Sequence, residues 1–421
     1  MAEVKKIIPK RRFKEFQNGE AWEERKLSES YKFSQGLQVP VEEQFNNCLD
    51  GYERFIRIVD VTQSDEPQRY IQNITRKGRV KNEDIFFVRY GAVGAVGYGY
   101  SGTIANNLFV LTPLIKVNSK FMFQQFSATK FNTKLTEMSA STSMPAINFG
   151  ALNNMKFWYP PFEEQEKIGW YFEQLDNLIT LHQRKLDKIK SMKKAYLSEM
   201  FPAEGERKPK RRFKGFTDDW ELCKVQNFVD NGILAAPMDG NHGEKHPTTR
   251  DYVASGIPFI MARDFDGGYV DLKHCSFISA ERAERLDKGF AQNNDVLLTH
   301  KATIGETAII KGLKEKYAVL TPQVTYYRIL NLKKLTTDYL YAYFNTERFQ
   351  NELKTEAIQS TRAYIGITDQ RKLSVIFPVN IDEQKKIGSY FFYLDNLITL
   401  HQHKLDKLKN LKKAYLNEMF I

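Results

Sequence analysis

Glu164–Phe201 reads EQEKIGWYFEQLDNLITLHQRKLDKIKSMKKAYLSEMF, and Glu383–Phe420 reads EQKKIGSYFFYLDNLITLHQHKLDKLKNLKKAYLNEMF. Over these 38 residues the two stretches differ at nine positions. A shorter echo ties Pro9–Phe16, PKRRFKEF, to Pro209–Phe216, PKRRFKGF. The chain is therefore two copies of one unit, each a basic segment, a long variable stretch and a long helix, and repetition on this scale dictates architecture. Between the repeated parts, residues 17–157 and 217–377 resist alignment. A chain that repeats its frame and varies its inserts presents two versions of one kind of recognition surface.

Ile168, Phe172, Leu175, Ile179, His182, Leu186, Ile189, Lys193, Tyr196 and Met200 advance in alternating steps of four and three. Ile387, Phe391, Leu394, Ile398, His401, Leu405, Leu408, Lys412, Tyr415 and Met419 repeat the pattern position for position. This 3.5-residue period predicts left-handed coiled-coil packing, with each helix the simplest partner of the other. Pro160 and Pro161 precede the first helix, Pro202 follows it, and Pro378 precedes the second, all places where proline marks a boundary. A rod of this length spans about 57 Å. An antiparallel pair would hold the two variable regions apart by roughly one turn of duplex DNA or more. His182, His401, Lys193 and Lys412 interrupt the apolar seam, where polar residues set register at a cost in stability; for the histidines a shared metal is the alternative.

The 421 residues, 42% hydrophobic and 13% aromatic, suffice for two or three domains with real cores. A net charge of +11 favours a polyanionic partner, nucleic acid first. Cys48, Cys223 and Cys275 are too few and too scattered for a disulfide framework or a cysteine-rich zinc site. The opening MAEVKKIIPKRRFKEF has no signal-length apolar run, and no other stretch has the length of a membrane span. A cytoplasmic protein with no membrane partner is the expectation.

Both inserts read as mixed α/β with a strong strand component. In the first, Arg54–Asp60 alternates like a strand, and Asp84–Arg89 runs into a segment punctuated by Gly91, Gly94, Gly97, Gly99 and Gly102. In the second, Ile257–Asp264 and Asp295–Gly305 take the same parts. The second insert is longer, and Gly232–Thr249, rich in Gly, His, Pro and Asn, reads as loop. Divergent loops on a shared scaffold are where specificity resides.

The passages Tyr159–Ile168, YPPFEEQEKI, and Phe377–Ile387, FPVNIDEQKKI, followed by KLDK(I/L)K and KKAYL(S/N)EMF, resemble the specificity subunit of type I restriction-modification systems over essentially the whole chain. Gly256–Phe259 and Asp295–Thr299 resemble its variable regions. The resemblance implies an α/β (α+β) protein with two globular target-recognition domains separated by two long antiparallel coiled-coil helices in a pseudo-two-fold repeat. It divides the chain into a basic segment 1–16, recognition domain 17–157, spacer helix 158–203, linker 204–216, recognition domain 217–377 and spacer helix 378–421. It further implies double-stranded DNA, two methyltransferase subunits and restriction/translocase subunits as partners, with S-adenosylmethionine and ATP/Mg on those partners and no cofactor in this chain. Each recognition domain would read one half of a bipartite asymmetric DNA sequence. Ile168, Phe172, Leu175, Ile179, Leu186, Ile189, Ile387, Phe391, Leu394, Ile398, Leu405 and Leu408 would form the spacer and docking helices.

Base reading calls for Arg on guanine and Asn or Gln on adenine, with Lys, Ser and Thr on phosphates or single acceptors. Loop-borne candidates in the first half are Arg57, Arg76, Lys77, Arg79, Arg89, Tyr90, Asn106, Asn107, Ser141 and Thr142. In the second they are Arg263, Thr299, His300, Lys301, Gln323, Ser360, Thr361, Arg362 and Tyr364. The basic Lys10–Lys14 and Lys210–Lys214 are either phosphate clamps or linkers pinned by Phe13, Phe16, Phe213 and Phe216, with Trp22 and Trp220 opening each domain.

Catalytic motifs are missing. Tyr159–Phe162 has paired prolines but lacks the amide or carboxylate that an adenine methyltransferase places before them. No phosphate-cradling G-x-x-x-x-G-K-[ST] occurs. His242–Glu244 has no downstream Pro-Cys-x-x-Cys, and Gly243 stands where HExxH would need its Glu. No catalytic or metal residue is therefore assigned. The competing reading is a non-enzymatic coiled-coil scaffold with two protein- or ligand-binding heads.

Overall fold

The computed structural model describes residues 8–63, 66–128, 131, 133–135, 137, 146–147, 149–357 and 364–421. The repeated stretches form unbroken helices of 38 and 39 residues, Phe162–Glu199 and Ile381–Met419. Their Leu, Lys, Glu, Gln and Ala favour helix, and neither contains a proline.

The chain divides into two compact units, Met1–Leu181 with Leu405–Ile421, and His182–Lys404. Each unit thus combines the N-terminal half of one long helix with the C-terminal half of the other. In the first unit Tyr171 meets Tyr415 with ring centres 5.6 Å apart, and Lys412 pairs with Asp176 at 2.6 Å. In the second, Tyr196 meets Tyr390 at 5.6 Å, and Lys193 pairs with Asp395 at 2.5 Å. Numbers rise along one helix as they fall along the other, so both pairings are antiparallel.

The two units share their strand plan. A two-stranded sheet joins Glu23–Lys26 to Lys156–Tyr159 in the first and Glu221–Lys224 to Ser374–Phe377 in the second. An antiparallel sheet is ordered 31–35, 108–113, 85–88, 96–97 in the first unit; its counterpart is ordered 238–239, 324–327, 296–301, 303–309 with the same antiparallel pairing, and is extended by two short strands, 269–270 joining 303–309 in parallel and 265–266 joining 269–270 in turn. A further sheet contains one parallel pair in each unit, Glu53–Ile56 beside Gly102–Ile104 and Ile257–Ile260 beside Ala318–Leu320. The apolar runs Ile85–Val88 and Val296–Leu298 are buried on both faces, which is why they read as continuous rather than alternating.

Two local readings change. Arg54–Asp60 is a strand only to Ile56 and then turns into a short helix, Ile58–Thr62, because Asp60 accepts the Arg57 amide at 2.9 Å. Asp264 likewise accepts the Met261 amide at 2.7 Å. The recurring aspartate of both inserts therefore locks a turn. Within 232–249, Met238–Asp239 is a strand, and Asp239 and Asn241 are buried, so that stretch is more than loop.

The repeated motif explains itself once its partners are seen. Glu164 is fully buried and takes a two-pronged bond from Arg12, at 2.7 and 2.6 Å; Glu383 takes the same from Arg212, at 2.6 and 2.8 Å. Gln165 accepts from the Asn118 amide and donates to the Pro160 carbonyl, while Gln384 accepts from the Thr336 amide and donates to the Pro378 carbonyl. These are the residues that open the domain helices Ser119–Ser127 and Thr337–Phe344. Gly169 and Gly388 let those helices approach: an added Cβ would lie 2.8 Å from the Phe121 or Tyr339 amide nitrogen. Arg11 and Arg211 bind Glu418 and Glu199 at the two helix ends. Phe13 lies edge-on to Tyr171, and Phe213 to Tyr390. Arg12 and Arg212 therefore belong to the frame, their charges paired with buried carboxylates, which favours the linker reading of these arginines over the phosphate clamp.

The seam is not uniform. Ile168, Phe172 and Leu175 join the core of the first unit with Trp22, Phe121, Met419 and Phe420, and Ile387, Phe391 and Leu394 join that of the second with Trp220, Tyr339, Met200 and Phe201. Leu186 and Leu405 are buried, whereas Ile179, Ile189, Ile398 and Leu408 are half-buried. His182 and His401 share a hydrogen bond between their Nδ1 atoms at 2.9 Å. Burial first, then the neighbouring His182 charge, holds His401 below the ordinary histidine range. No helix among the described residues is long and apolar enough to cross a membrane.

Candidate nucleic-acid interface

The candidate residues fall into two sets in each unit. The first set sits where strands of the antiparallel sheet end. Past Val88, the Arg89 amide donates to the Asn107 carbonyl at 2.9 Å, the Arg89 carbonyl accepts from the Ile147 amide at 2.8 Å, and Tyr90 bridges Ala146. In the second unit the His300 amide donates to the Gln323 carbonyl at 3.0 Å, the His300 carbonyl accepts from the Ile365 amide at 3.1 Å, and Lys301 bridges Tyr364. The backbone pattern makes Arg89 the counterpart of His300, Tyr90 of Lys301, and Asn107 of Gln323. At each of these shared places the side chain differs.

Lys301, Gln323 and Tyr364 are exposed, and the Lys301 ammonium lies 6.0 Å from the Tyr364 ring centre. Tyr90, Asn106 and Asn107 are half-buried, and Gln35 donates to the Asn106 carbonyl. The Arg89 guanidinium lies 5.1 Å over the Phe149 ring. Its Nε and the Asn107 Oδ1 are buried without a hydrogen-bond partner among the described residues.

Thr299 and His300 need correcting. Both are fully buried, so neither side chain can reach a base edge. Thr299 Oγ1 accepts from the Glu306 amide at 3.0 Å, and His300 Nδ1 shares a hydrogen bond with Thr325 Oγ1 at 2.7 Å. Nε2 of His300 lies 3.9 Å from Asp239, a buried carboxylate already bonded by His242 at 2.6 Å and by Lys288. Burial alone would raise the Asp239 carboxyl, but Lys288 and His242 outweigh it and hold it low. Burial pushes the His300 imidazole down to about 4, so it is neutral at physiological pH. Among the described residues no group of three His, Cys, Asp or Glu side chains is placed to hold a metal ion.

The second set belongs to the sheet with the parallel strand pair. Arg76, Lys77 and Arg79 are exposed, Arg76 at a left-handed φ of 58° in a turn. Arg79 is tied to Glu53 at 2.7 Å. Arg57 is committed within the protein, to Asp60 at 2.9 Å and the Pro67 carbonyl at 2.8 Å. Its place corresponds to Met261, whose turn Asp264 closes in the same way. Arg263 is exposed and donates to Ser276 Oγ at 3.2 Å. Ser141, Thr142, Ser360, Thr361 and Arg362 lie outside the described residues.

Sequence reasoning missed the polar cluster Asp239, His242 and Lys288 and the roles of Arg12, Glu164 and Gln165. For the last three a signal existed, since each recurs in the second copy as Arg212, Glu383 and Gln384.

Two units of one α+β plan, each combining halves of the two repeated helices and each ending its sheet in different polar and basic side chains, define a two-module recognition protein. The sequence matches the type I restriction modification DNA specificity domain over residues 19–191 and 241–410, and the chain belongs to that family. It is 21% identical over 411 residues to the type I restriction enzyme MjaVIII specificity subunit of Methanocaldococcus jannaschii, covering 94% of this chain and 92% of that one. It is 25% identical over 214 residues to the MjaIX specificity subunit of the same organism, covering 48% and 44%. Its fold is similar to that of the type I restriction-modification S subunit from M. genitalium, with a TM-score of 0.70, 12% identity and 99% of each chain covered.

Proposed function

We propose that this chain is the non-catalytic, sequence-reading subunit of a type I restriction-modification complex in the cytoplasm, each unit reading one half of a bipartite asymmetric DNA sequence. The observation that carries this reading is the pairing Arg89/His300, Tyr90/Lys301 and Asn107/Gln323: one backbone frame, furnished differently. The side chains that hold the frame are instead the same in both copies, as Arg12/Arg212 and Glu164/Glu383 are. A protein required to read two different half-sites with one scaffold needs that division.

The repeated helices dock two methyltransferase subunits, which bring S-adenosylmethionine, and restriction/translocase subunits bring ATP and Mg. Outward-facing Leu178, Leu181 and Leu400 are exposed and suit a protein partner. The excess of basic residues suits the phosphate backbone, so affinity for DNA falls steeply with salt.

The test is co-expression with an adenine methyltransferase subunit, mapping modified bases across the host genome with each subunit omitted in turn. A split motif that appears only with both subunits is the expected result. Modification without a motif, or none at all, would sink the reading.

A further inference from the structure

The hairpin formed by Val296–Lys301 and Thr303–Ile309 has a single residue at its tip, Ala302, between the paired Lys301 and Thr303. Its φ is +68°, a left-handed conformation that a Cβ makes costly and that glycine adopts freely. Where the corresponding strand of the first unit ends, the chain uses glycine, Gly91 at φ +90° and Gly94 at φ +87°. Burial does not account for the methyl group, because Ala302 is exposed, as are Lys301 and Thr303 on either side of it. The second unit thus carries a strained, solvent-facing methyl at the tip of a hairpin in its larger sheet, beside the exposed Lys301, which itself bridges Tyr364.

In the major groove the C5-methyl of thymine is the apolar group that a small side chain contacts, and a methyl at the tip of a hairpin is placed to meet it. We propose that Ala302 is a specificity-determining residue that recognises one thymine of the half-site read by the second unit, through methyl-to-methyl contact at the hairpin tip. The proposal rests on the reading of this chain as a sequence-selective DNA-binding subunit. Lys301 supplies the adjoining phosphate or single-acceptor contact.

The experiment uses the full chain with its methyltransferase subunit and duplexes carrying the mapped motif, with each thymine replaced singly by uracil, which removes only the methyl. One replacement should weaken wild-type binding by about fourfold, the factor for burying one methyl group. The Ala302→Gly protein should be indifferent to that replacement, while its urea midpoint stays equal or rises as the φ strain is relieved. The proposal is overturned if every thymine can be replaced without loss, or if Ala302→Gly keeps the uracil sensitivity. Lys301→Ala separates this from failure of the underlying reading. If it weakens binding to every duplex while uracil costs nothing, the hairpin meets DNA and only the Ala302 assignment falls. If it changes neither affinity nor motif, the hairpin is not an interface and the reading of this end falls with it.

Discussion

At the scale of single residues, the chain puts its strongest electrostatics into its frame. The Arg212–Glu383 pair is nearly withdrawn from water, with side chains 14% and 0% exposed. Removing one partner of a buried pair strands the other, at a cost of about 3–5 kcal/mol. Arg212→Ala should lower urea stability by that order, and adding Glu383→Gln should recover part of it. An unchanged midpoint in the single variant would show that the pair does not hold the frame.

His300 gives a second residue-level outcome. Its imidazole sits at about 4 in the fold because burial penalises the charged form, against about 6.5 unfolded. As pH falls below about 6.5 the unfolded chain takes up a proton that the folded one refuses. Its contribution is therefore present above that pH and is lost as pH drops towards about 4, about 3 kcal/mol in all. Comparing unfolding at pH 7.5 and pH 5, His300→Gln should lose about 2 kcal/mol less than wild type. Equal losses would refute the assignment.

At the scale of elements, the long helices are registered by ions as well as by apolar seams. Lys193 pairs with Asp395 in the second unit and Lys412 with Asp176 in the first; each acid also binds its own domain, Asp395 through the Tyr341 hydroxyl and Asp176 through the Gln124 amide. Deleting residues 183–189 removes one heptad and keeps the seam on one face. Made in the first helix alone, however, it asks the two ion pairs for different registers, and assembly or stability should fail. Deleting 402–408 as well restores one register for both pairs. That protein should fold and shorten the gap between modified half-sites by about 10 Å, roughly three base pairs. An unaltered gap in the mapped motif would end the view of the helices as the ruler.

At the scale of the whole molecule, the prediction concerns independence. Exchanging residues 17–157 for another such insert should change one half of the modified motif and leave the other intact, because Arg12 and Glu164 pair with each other outside the insert and Gln165 holds the insert through a backbone amide, which any such insert can supply. If both halves change together, or neither does, the units are not separate readers.

The repeat, the helix pair and the heptad register were legible in the sequence because they rest on local periodicity and on identity between copies. Arg12 and Glu164 were legible as a recurrence but not as a pair, since 152 residues separate them and only folding brings the charges together. Among the candidate readers, Lys301, Gln323 and Tyr364 proved exposed while Thr299 and His300 proved buried. A run such as Val296–Lys301 does not announce which residue is the last to be covered; that depends on strands distant in sequence. The sequence by itself determined that one unit is used twice, with a frame held constant and inserts that diverge, because duplication leaves its record in residue identity. Only the tertiary structure decided which polar residues serve the frame and which face solvent at the strand ends, because burial is a property of packing between segments far apart in the chain.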